Sequence, residues 1–417
     1  MRKIARSQQY EQAFHAALFE KEPWLNTLVR MGAQVILQKA IEEEVTEFLE
    51  REHYRHTQGD FRGHRNGYEK KKMATGEGPI ELGIPQVRGV PGERFQSRIL
   101  ESWRGRSTAV EQMIPALYVK GLSQRDTEGV MKQVLGNPNC SKSTVSRICQ
   151  VLGETFAKWK NRDLSGYGIL YLFLDAIYLP VRQDSREKEG VLAAYGITWE
   201  GKKVLLHLGL GERESYEAWL GFLHDLTQRG LTSPLLVLMD GNAGLKKAVR
   251  EVFPWALRQR CLVHKMRNIL ARVPRKRKTE IQKLVQGALS AKTYEEAKRL
   301  CQELISRWKS LYPSAMECLE KDLDECLTYL RFPKEHQKRI RTTNLLERLF
   351  GEGRRRTKVI PRFPTEGSAL SLVYSTLVDA SQSWRGVPMT PQIQTQLESL
   401  WQQQNPQTQP EQMVQVA

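Results

Sequence analysis

Apolar residues recur along the chain with two different periods, and the change of period divides it. Within residues 1–58, AFHAALF and LVRMGAQVILQKAIEEEVTEFL carry apolar positions at i, i+3, i+4 and i+7, which predicts helices for packing or dimerisation. From Gly166 onward, GYGILYLFLDAIYLPVRQ, VLAAYGITW and KVLLHLGLG predict three successive antiparallel strands. An amphipathic helix (ESYEAWLGFLHDLTQRG), a buried strand (LLVLMD) and a helix from near Ala243 follow. The chain therefore changes from helices to a mixed sheet.

This order of strands and helices is that of an RNase H-like domain, an α/β core with a mixed sheet, although other α/β folds fit the same periodicity. After residue 264 the sequence is long, charged and helical with little strand signal, which predicts an all-helical insertion. The Gln-rich end is expected to be disordered. The predicted regions are an N-terminal helical region (1–58), a basic strand and loop region (59–106), a helix-turn-helix region (107–163), the first part of the core (164–264), the insertion (265–340), the C-terminal core helices (341–390) and a disordered tail (391–417).

Two short helical patterns in the third region are separated by GNPNC, a turn that neither helix could continue through. Ser141 stands where an N-cap should precede KSTVSRICQVL. A helix-turn-helix that reads DNA is the functional interpretation, and an ordinary helical hairpin is the alternative. The start of the recognition helix would present Lys142, Ser143, Thr144, Ser146 and Arg147.

The charge composition predicts a polyanionic partner. The 417 residues carry a formal net charge of +17, with 64 Lys and Arg against 47 Asp and Glu, and such an imbalance favours nucleic acid. No apolar run is long enough to span a bilayer and no signal peptide is evident, so a membrane partner is not expected. Six cysteines are too few for a disulfide scaffold of this size, which suits a reducing cytosol.

Basic residues alternate with aromatic ones in FRGHRNGYEKKK, within the strand and loop region. Contact with DNA phosphates is the favoured interpretation, and a solvated charged face is the alternative. The candidate phosphate ligands are Arg62, Arg65, Lys70, Lys71 and Lys72.

Two carboxylates interrupt apolar strands. Asp175 lies within YLFLDAIYLPV, and Asp240 ends LLVLMD before a Gly-Asn-Ala-Gly turn. An ionised carboxylate in such a strand is costly unless it is paired, hydrogen-bonded or bound to a metal. If the two strands pair, the carboxylates meet and repel, and a hard cation such as Mg²⁺ would resolve the conflict.

A third ligand should come from a helix packed on the sheet, and Glu347 in RTTNLLERLF is the chosen candidate. Two alternatives stay open: Asn344 and Glu347 also fit a capping box, and Glu352 is a local competitor. The nearby Arg354, Arg355 and Arg356 could hold a DNA backbone beside the metal.

Cys261 and His264 form half of a zinc-site pattern, and no second pair of ligands follows closely. They are therefore interpreted as packing or positioning residues near the site.

At this point the chain resembles a known family. It is similar to the Mutator-type transposases of bacterial insertion sequences, which belong to the DDE transposases. The similar stretches are LDAIY, MDGNAGLKKAVREVFPWALRQRCLVHKMRNIL and TTNLLERLFGEGRRRTKVIPRFPTEGSAL. The resemblance runs from about Asp60 to Leu377. It implies an RNase H-like core with a helical insertion and a catalytic triad at Asp175, Asp240 and Glu347. The Cys-x-x-His element resembles a family signature without a settled role.

The expected activity is metal-assisted cleavage and strand transfer of double-stranded DNA, at the element's ends and at a target. Two Mg²⁺ ions, with Mn²⁺ as a substitute, would be held by the three carboxylates. Joining two ends requires at least a homodimer. The protein is expected in the cytoplasm, associated with the nucleoid. The rivals are an RNase H-like nuclease or resolvase without end recognition, and a non-catalytic DNA-binding regulator with a decayed core.

Overall fold

The computed structural model describes residues 4–19, 25–51, 62–90, 94–101, 107–120, 122, 124–135, 142–179, 189–211, 215–357, 366–381 and 384–404. The chain divides into two compact units, residues 1–151 and residues 152–417. The seven regions expected from the sequence are finer than this division and stay a prediction. Among the described helices, none has the length and hydropathy needed to cross a bilayer.

The first unit contains helices around a β-hairpin. Its elements are α1 (Arg6–Leu18), α2 (Leu25–Leu49), β1 (His64–Thr75), β2 (Gly78–Arg88), α3 (Arg98–Glu101), α4 (Thr108–Val119), α5 (Gln124–Leu135) and the start of α6 (Lys142–Lys160). The predicted N-terminal helices and the helices on either side of GNPNC are present, whereas residues 136–141 lie outside the described residues. A helix-turn-helix arrangement of α5 and α6 therefore stays a prediction.

The hairpin is longer than the short strands expected from the sequence. β1 and β2 pair antiparallel from His64 opposite Arg88 to Thr75 opposite Gly78. Helix α2 packs on β2, and the Gln38 amide exchanges two 2.8 Å hydrogen bonds with the backbone of Gly83. Ile41 of α2 joins buried β2 residues in a small core. The burial of one face of β2 explains why the strand extends through a Gly- and Pro-rich sequence.

The second unit begins with the end of α6 and contains a five-stranded sheet and a set of helices. Its further elements are β3 (Ile169–Leu179), β4 (Glu189–Thr198), β5 (Lys203–Gly211), α7 (Tyr216–Gln228), β6 (Leu236–Met239), α8 (Ala243–Val252), β7 (Leu257–Arg260), α9 (Leu262–Leu270), α10 (Lys278–Leu289), α11 (Tyr294–Trp308), α12 (Pro313–Glu320), α13 (Leu323–Leu327), α14 (Lys334–Ile340), α15 (Asn344–Thr357), α16 (Glu366–Ser381) and α17 (Pro391–Gln404). Two 3-10 turns, Arg275–Arg277 and Thr328–Arg331, lie between these helices.

The sheet has the strand order β5-β4-β3-β6-β7. β3, β4 and β5 are antiparallel, whereas β6 and β7 run parallel to β3. The predicted meander and the pairing of the two aspartate-bearing strands are confirmed, and the fold is mixed α/β with a mixed sheet. The RNase H-like identity of this sheet stays a prediction. The edge strand β7 was not expected, because its sequence Leu-Arg-Gln-Arg lacks a strand pattern.

Side chains on β3 alternate between the two faces of the sheet. Leu172 and Leu174 belong to the core that includes Trp219 and Leu223 of α7 and residues of α8. Tyr171 points to the opposite face, where its hydroxyl bonds His336 of α14 at 2.7 Å. Because side chains alternate along a strand, Asp175 shares the face of Tyr171. The carboxylate therefore faces the side of the sheet away from α7 and α8.

Residues 262–340 are almost entirely helical and build a core of their own, separate from that of the sheet. This agrees with the predicted all-helical segment. The disordered tail expected from residue 391 is wrong for residues 391–404, which form α17. Ile393 and Leu397 lie one turn apart and are both buried, so an apolar face outweighs the Gln-rich composition. Residues 405–417 lie outside the described residues.

Candidate active site

The parallel pairing of β3 with β6 places the two aspartates side by side. Phe173 stands opposite Leu238 in this ladder, and Asp175 and Asp240 each follow two residues later. Residues in register on neighbouring parallel strands share a face and lie about 5 Å apart at the backbone. The sequence-derived expectation that the strands would bring these carboxylates together therefore agrees with the register.

Asp175 is the more buried of the two, with 9% of its surface exposed. Its Oδ1 accepts a 2.9 Å hydrogen bond from the backbone N–H of Ala176. Burial raises the pKa of Asp175 to about 7, the Ala176 N–H and the charge of His264 oppose the rise, and the charges of Asp240 and Glu347 add to it. Asp240 and Glu347 thus both lie close enough for their charges to act on Asp175.

Glu347 reaches this environment from α15. The helix starts at Asn344, so Asn344 is its first helical residue and not a cap, and the Glu347 side chain turns towards α9. Its Oε1 lies 3.3 Å from His264 Nε2 and 3.5 Å from Arg267 Nη1. The capping-box alternative is therefore not formed. The side chain of the competitor Glu352 lies outside the described residues.

Gly351 and Gly353 do not end α15, although each lowers helix stability by about 1 kcal/mol relative to Ala. A Cβ on Gly353 would stand 3.8 Å from Ile177 Cδ1 of β3. The small residue thus lies where the helix backbone passes the strand that carries Asp175, and tertiary packing offsets its low propensity.

Cys261 joins the start of α9 to the start of α15. The thiol is fully buried, and its Sγ accepts hydrogen bonds from Thr343 N–H and Oγ1–H, both at 3.4 Å. Burial raises the pKa of this thiol, but the interactions with His264 and Thr343 outweigh burial and leave the pKa lowered. Thr343 directly precedes α15, so Cys261 fixes the first turn of the helix that carries Glu347.

His264 sits between the thiol and the carboxylates. Interaction with Cys261 is the largest cause that raises the pKa of His264 to about 9, burial opposes it, and Asp175 and Glu347 add to the rise. Among the residues that the structure describes, none gives its buried Nδ1 a hydrogen bond of good geometry, so the effect of Cys261 on His264 is electrostatic. A charged His264 makes the 3.3 Å contact with Glu347 an ion pair.

The glycines after Asp240 accommodate parts of the protein itself. A Cβ on Gly241 would overlap the guanidinium of Arg260, and one on Gly244 would meet the backbone N of Tyr216 at 2.6 Å. Asn242 accepts a 3.0 Å hydrogen bond from Leu245 N–H and caps α8, while Asp240 Oδ1 accepts one from Asn242 N–H at 2.9 Å. The turn therefore fixes the Asp240 carboxylate.

The predicted DNA-binding residues differ in their surroundings. Arg62 pairs with Glu50 and lies over Phe48, and Lys70 pairs with Glu81 at 2.9 Å. Arg65 is half-buried and donates to Thr46 Oγ1 and Arg51 O, both at 2.9 Å, so it supports the hairpin. Lys71, Lys72 and Arg355 are exposed. The side chains of Lys142, Ser143, Thr144, Arg147, Arg354 and Arg356 lie outside the described residues.

Sequence reasoning missed two residues of the site. Arg267 contacts Glu347 from one turn beyond His264, and Thr343 donates twice to Cys261. The spacing from His264 to Arg267 is one helical turn on a basic helix, which was a usable signal for the first. Nothing in the sequence around Thr343 pointed to a thiol 82 positions away.

The donor chemistry of the carboxylates suits a hard cation. Asp175, Asp240 and Glu347 offer only oxygen, the ligand that Mg²⁺ prefers. Burial is the main cause that raises the pKa of Asp175, and the charges of Asp240 and Glu347 add to it. Within the described part of the chain, no three His, Cys, Asp or Glu side chains are drawn together as ready ligands. Glu347 is instead held by His264 and Arg267. The three residues therefore fit the ion in their donor chemistry, and Glu347 would have to leave these partners to bind it.

In this mixed α/β core, Asp175 and Asp240 follow neighbouring parallel strands, and the charge of Glu347 on α15 acts on Asp175. The family model for transposases of the Mutator family matches residues 5–386, and the chain belongs to this family.

Curated relatives agree. The transposase for insertion sequence element ISRM5 of Rhizobium meliloti is 33% identical over 357 residues, covering 85% of this chain and 88% of the relative. The transposase for IS406 of Burkholderia multivorans is 34% identical, covering 89% and 95%. A solved structure, the Drosophila P element transposase strand transfer complex, covers 72% of this chain and 86% of that chain with a TM-score of 0.31 and 13% identity, which is too remote to bear on the fold.

Proposed function

We propose that the chain is a DNA transposase that binds the terminal inverted repeats of an insertion sequence and catalyses Mg²⁺-dependent strand cleavage and strand transfer. The observation that carries the proposal is the parallel register of β3 and β6, which places Asp175 and Asp240 on neighbouring strands. The charge of Glu347 on α15 also acts on Asp175. Membership of the Mutator transposase family supports it.

Asp175, Asp240 and Glu347 would hold two Mg²⁺ ions, and Mn²⁺ would substitute for them. When bound, such ions activate a water or a DNA 3′-hydroxyl and stabilise the leaving oxygen. In an RNase H-like core, the sheet would supply the two aspartates and α15 the glutamate.

The protein's own residues prepare this site. The Asp240 carboxylate is fixed by the N–H of Asn242, and Glu347 is oriented by His264 and Arg267. Cys261 fixes the beginning of α15 through Thr343. Burial of Asp175 removes water from the carboxylates, which strengthens their interaction with any cation that approaches. Cys261 and His264 are thus positioning residues in this proposal.

DNA would contact other surfaces as well. The α5–α6 region would act as the helix-turn-helix that reads the inverted repeats, and the exposed Lys71 and Lys72 of β1 would contact phosphates. Cleavage and joining of two element ends require a homodimer or a larger homo-oligomer.

A strand-transfer assay tests the proposal. Purified protein, duplex carrying the element's ends and Mg²⁺ should yield joined products, whereas a nuclease without end recognition would cut DNA lacking those ends equally well. Asp175→Asn, Asp240→Asn and Glu347→Gln should each lower the rate by at least about 10³-fold, since several kcal/mol of charge stabilisation is lost. Glu352→Gln is the matched control and should stay active. Full activity of either aspartate variant would overturn the proposal.

A further inference from the structure

The beginning of the helical insertion carries an unusually one-sided charge. Residues 262–277 contain six Lys and Arg and no Asp or Glu, whereas residues 278–340 contain twelve Lys and Arg and ten Asp and Glu. Positive charge in the insertion is therefore concentrated in α9 and the 3-10 turn that follows it. We call Arg272, Arg275 and Lys276 of this segment the basic track.

The track is exposed, and its region of the insertion contains no acidic residue that could compensate it. Arg272, Arg275 and Lys276 are exposed, and none of the three forms an ion pair with a carboxylate of the described residues. Lys265 is the exception within α9, because it is buried and bonds the carbonyl of Lys321. Beyond the track, four cations pair with acids: Arg277 with Glu280, Lys298 with Asp324, Arg299 with Glu303 and Lys309 with Glu320.

The track begins five residues after Arg267, which contacts the candidate active site. Helix α9 begins directly after Cys261, and its Arg267, with a side chain 63% exposed, contacts Glu347 at 3.5 Å. The apolar residues Ile269 and Val273 face the core of the insertion, which leaves Arg267 and Arg272 towards solvent. The nine residues of α9 rise about 13 Å, the length of roughly four base-pair steps.

We infer that Arg272, Arg275 and Lys276 bind the phosphate backbone of the duplex whose scissile strand lies at the three carboxylates. The inference rests on the proposed function and adds a DNA-binding surface within the insertion. Uncompensated cations next to a site that receives a polyanion reduce repulsion from the carboxylates and hold the duplex in place. Arginine provides planar donors that match phosphate oxygens. Such contacts position DNA without reading its sequence.

Two measurements on the full chain test the track. The first is the dissociation constant, as a function of NaCl concentration, for a duplex of about 30 base pairs, which is roughly three helical turns. Arg272→Gln, Arg275→Gln and Lys276→Gln together should lower the slope of log K against log salt by about 2.7, since each lost phosphate contact removes about 0.9. The control combines Lys283→Gln, Lys292→Gln and Arg307→Gln, three exposed cations of α10, α11 and the turn between them, and should leave the slope unchanged. Equal slopes for the two triple variants would overturn the inference.

The second measurement uses the wild-type chain, so that misfolding of a variant cannot affect it. A saturating concentration of duplex should lower the rate of Lys276 acetylation by an amine-reactive reagent at least about fivefold, because the bound site is occupied. The rates at Lys283 and Lys292 should not change. Mass spectrometry measures the acetylation of each lysine. Unprotected Lys276 with active strand transfer would refute the track alone. Protected Lys276 without strand transfer would support the track as a DNA surface and refute the proposed activity.

Discussion

The sheet and the helical insertion of the second unit are stabilised by different means. The core of the sheet is apolar, with Trp219, Leu223 and Leu226 of α7 packed on β3 and β6. The insertion has its own apolar core, but its junction with α8 and β7 is polar. Here Lys246 of α8 pairs with Asp322 and, at 2.8 Å, with Glu325. We call this junction the insertion seat.

Hydrogen bonds complete the insertion seat. The Gln259 amide of β7 donates to Cys326 O at 3.1 Å and accepts from Tyr329 N–H at 2.7 Å, and the amide is fully buried. Apolar packing depends weakly on direction, whereas hydrogen bonds and ion pairs favour one register. The apolar sheet core therefore provides stability, while the polar seat fixes the position at which α9 brings His264 and Arg267 to Glu347.

The largest effect is expected from the sheet core. Leu174→Ala removes a fully buried side chain next to Asp175 and should lower the free energy of unfolding by about 3–5 kcal/mol, because a cavity remains. Denaturant titration measures the change. The matched control, Leu284→Ala on α10, removes a side chain that is 37% exposed and should cost much less. Equal losses would remove the distinction between core and surface on which the comparison depends.

The next effect concerns the insertion seat. The Lys246 side chain is only 12% exposed, so Lys246→Met leaves Asp322 and Glu325 without their main partner and should cost about 3 kcal/mol. Adding Asp322→Asn and Glu325→Gln should recover more than half of that loss, because the uncompensated charges disappear. Thermal unfolding of the single and triple variants measures both steps, and a triple variant less stable than the single would contradict the charge explanation.

Acidification should destabilise the sheet at a higher pH than the pH at which it affects the insertion seat. Burial lowers the pKa of His207 on β5 to about 3, with nearby arginines adding to the shift, so its 3.2 Å contact with Asp225 is a hydrogen bond of a neutral ring. The unfolded chain, with a histidine pKa near 6.5, binds the proton first, so stability falls as pH decreases from about 6.5 towards 3. Between pH 7 and 5 the loss should be about 2 kcal/mol.

His207→Gln is the control for this effect, because it removes the titrating ring and should flatten the dependence in that interval. The seat should be unaffected there: burial raises the pKa of Asp322 but Lys246 outweighs it, and the pKa is lowered, so this carboxylate protonates only in stronger acid. A His207→Gln variant with the wild-type pH dependence of unfolding would assign the acid sensitivity to other groups.

The smallest effect concerns the link from α9 to α15. Cys261→Ala leaves the N–H and hydroxyl of Thr343 without their acceptor and should cost about 1 kcal/mol of stability. The rate of strand transfer should fall by about tenfold because Glu347 is displaced, which corresponds to a rise of about 1.4 kcal/mol in the activation free energy. Cys261→Ser keeps an acceptor and should recover most of the activity. Recovery of stability without recovery of activity would show that the thiol does more than position the helix.

The sheet was predictable where its pattern was strong. The apolar strands around Asp175 and Asp240 and their pairing followed from periodicity, because buried strands tolerate few polar residues. β7 was not predicted because three of its four residues are polar. α17 was not predicted because its Gln-rich composition outweighed the apolar Ile393 and Leu397, which are buried. The surroundings of Glu347 depend on residues from α9 and on Thr343, and local sequence does not encode which distant groups tertiary packing brings together.

If Asp175, Asp240 and Glu347 form one metal site, titration of Mn²⁺ followed by electron paramagnetic resonance will detect it. The wild-type chain should bind Mn²⁺ in competition with Mg²⁺. Asp175→Asn, Asp240→Asn and Glu347→Gln should each weaken binding by at least about tenfold, whereas Asp225→Asn, a carboxylate held by Arg229, should leave it unchanged. Unaltered Mn²⁺ affinity in either aspartate variant would contradict the convergence of the three carboxylates on a shared ion.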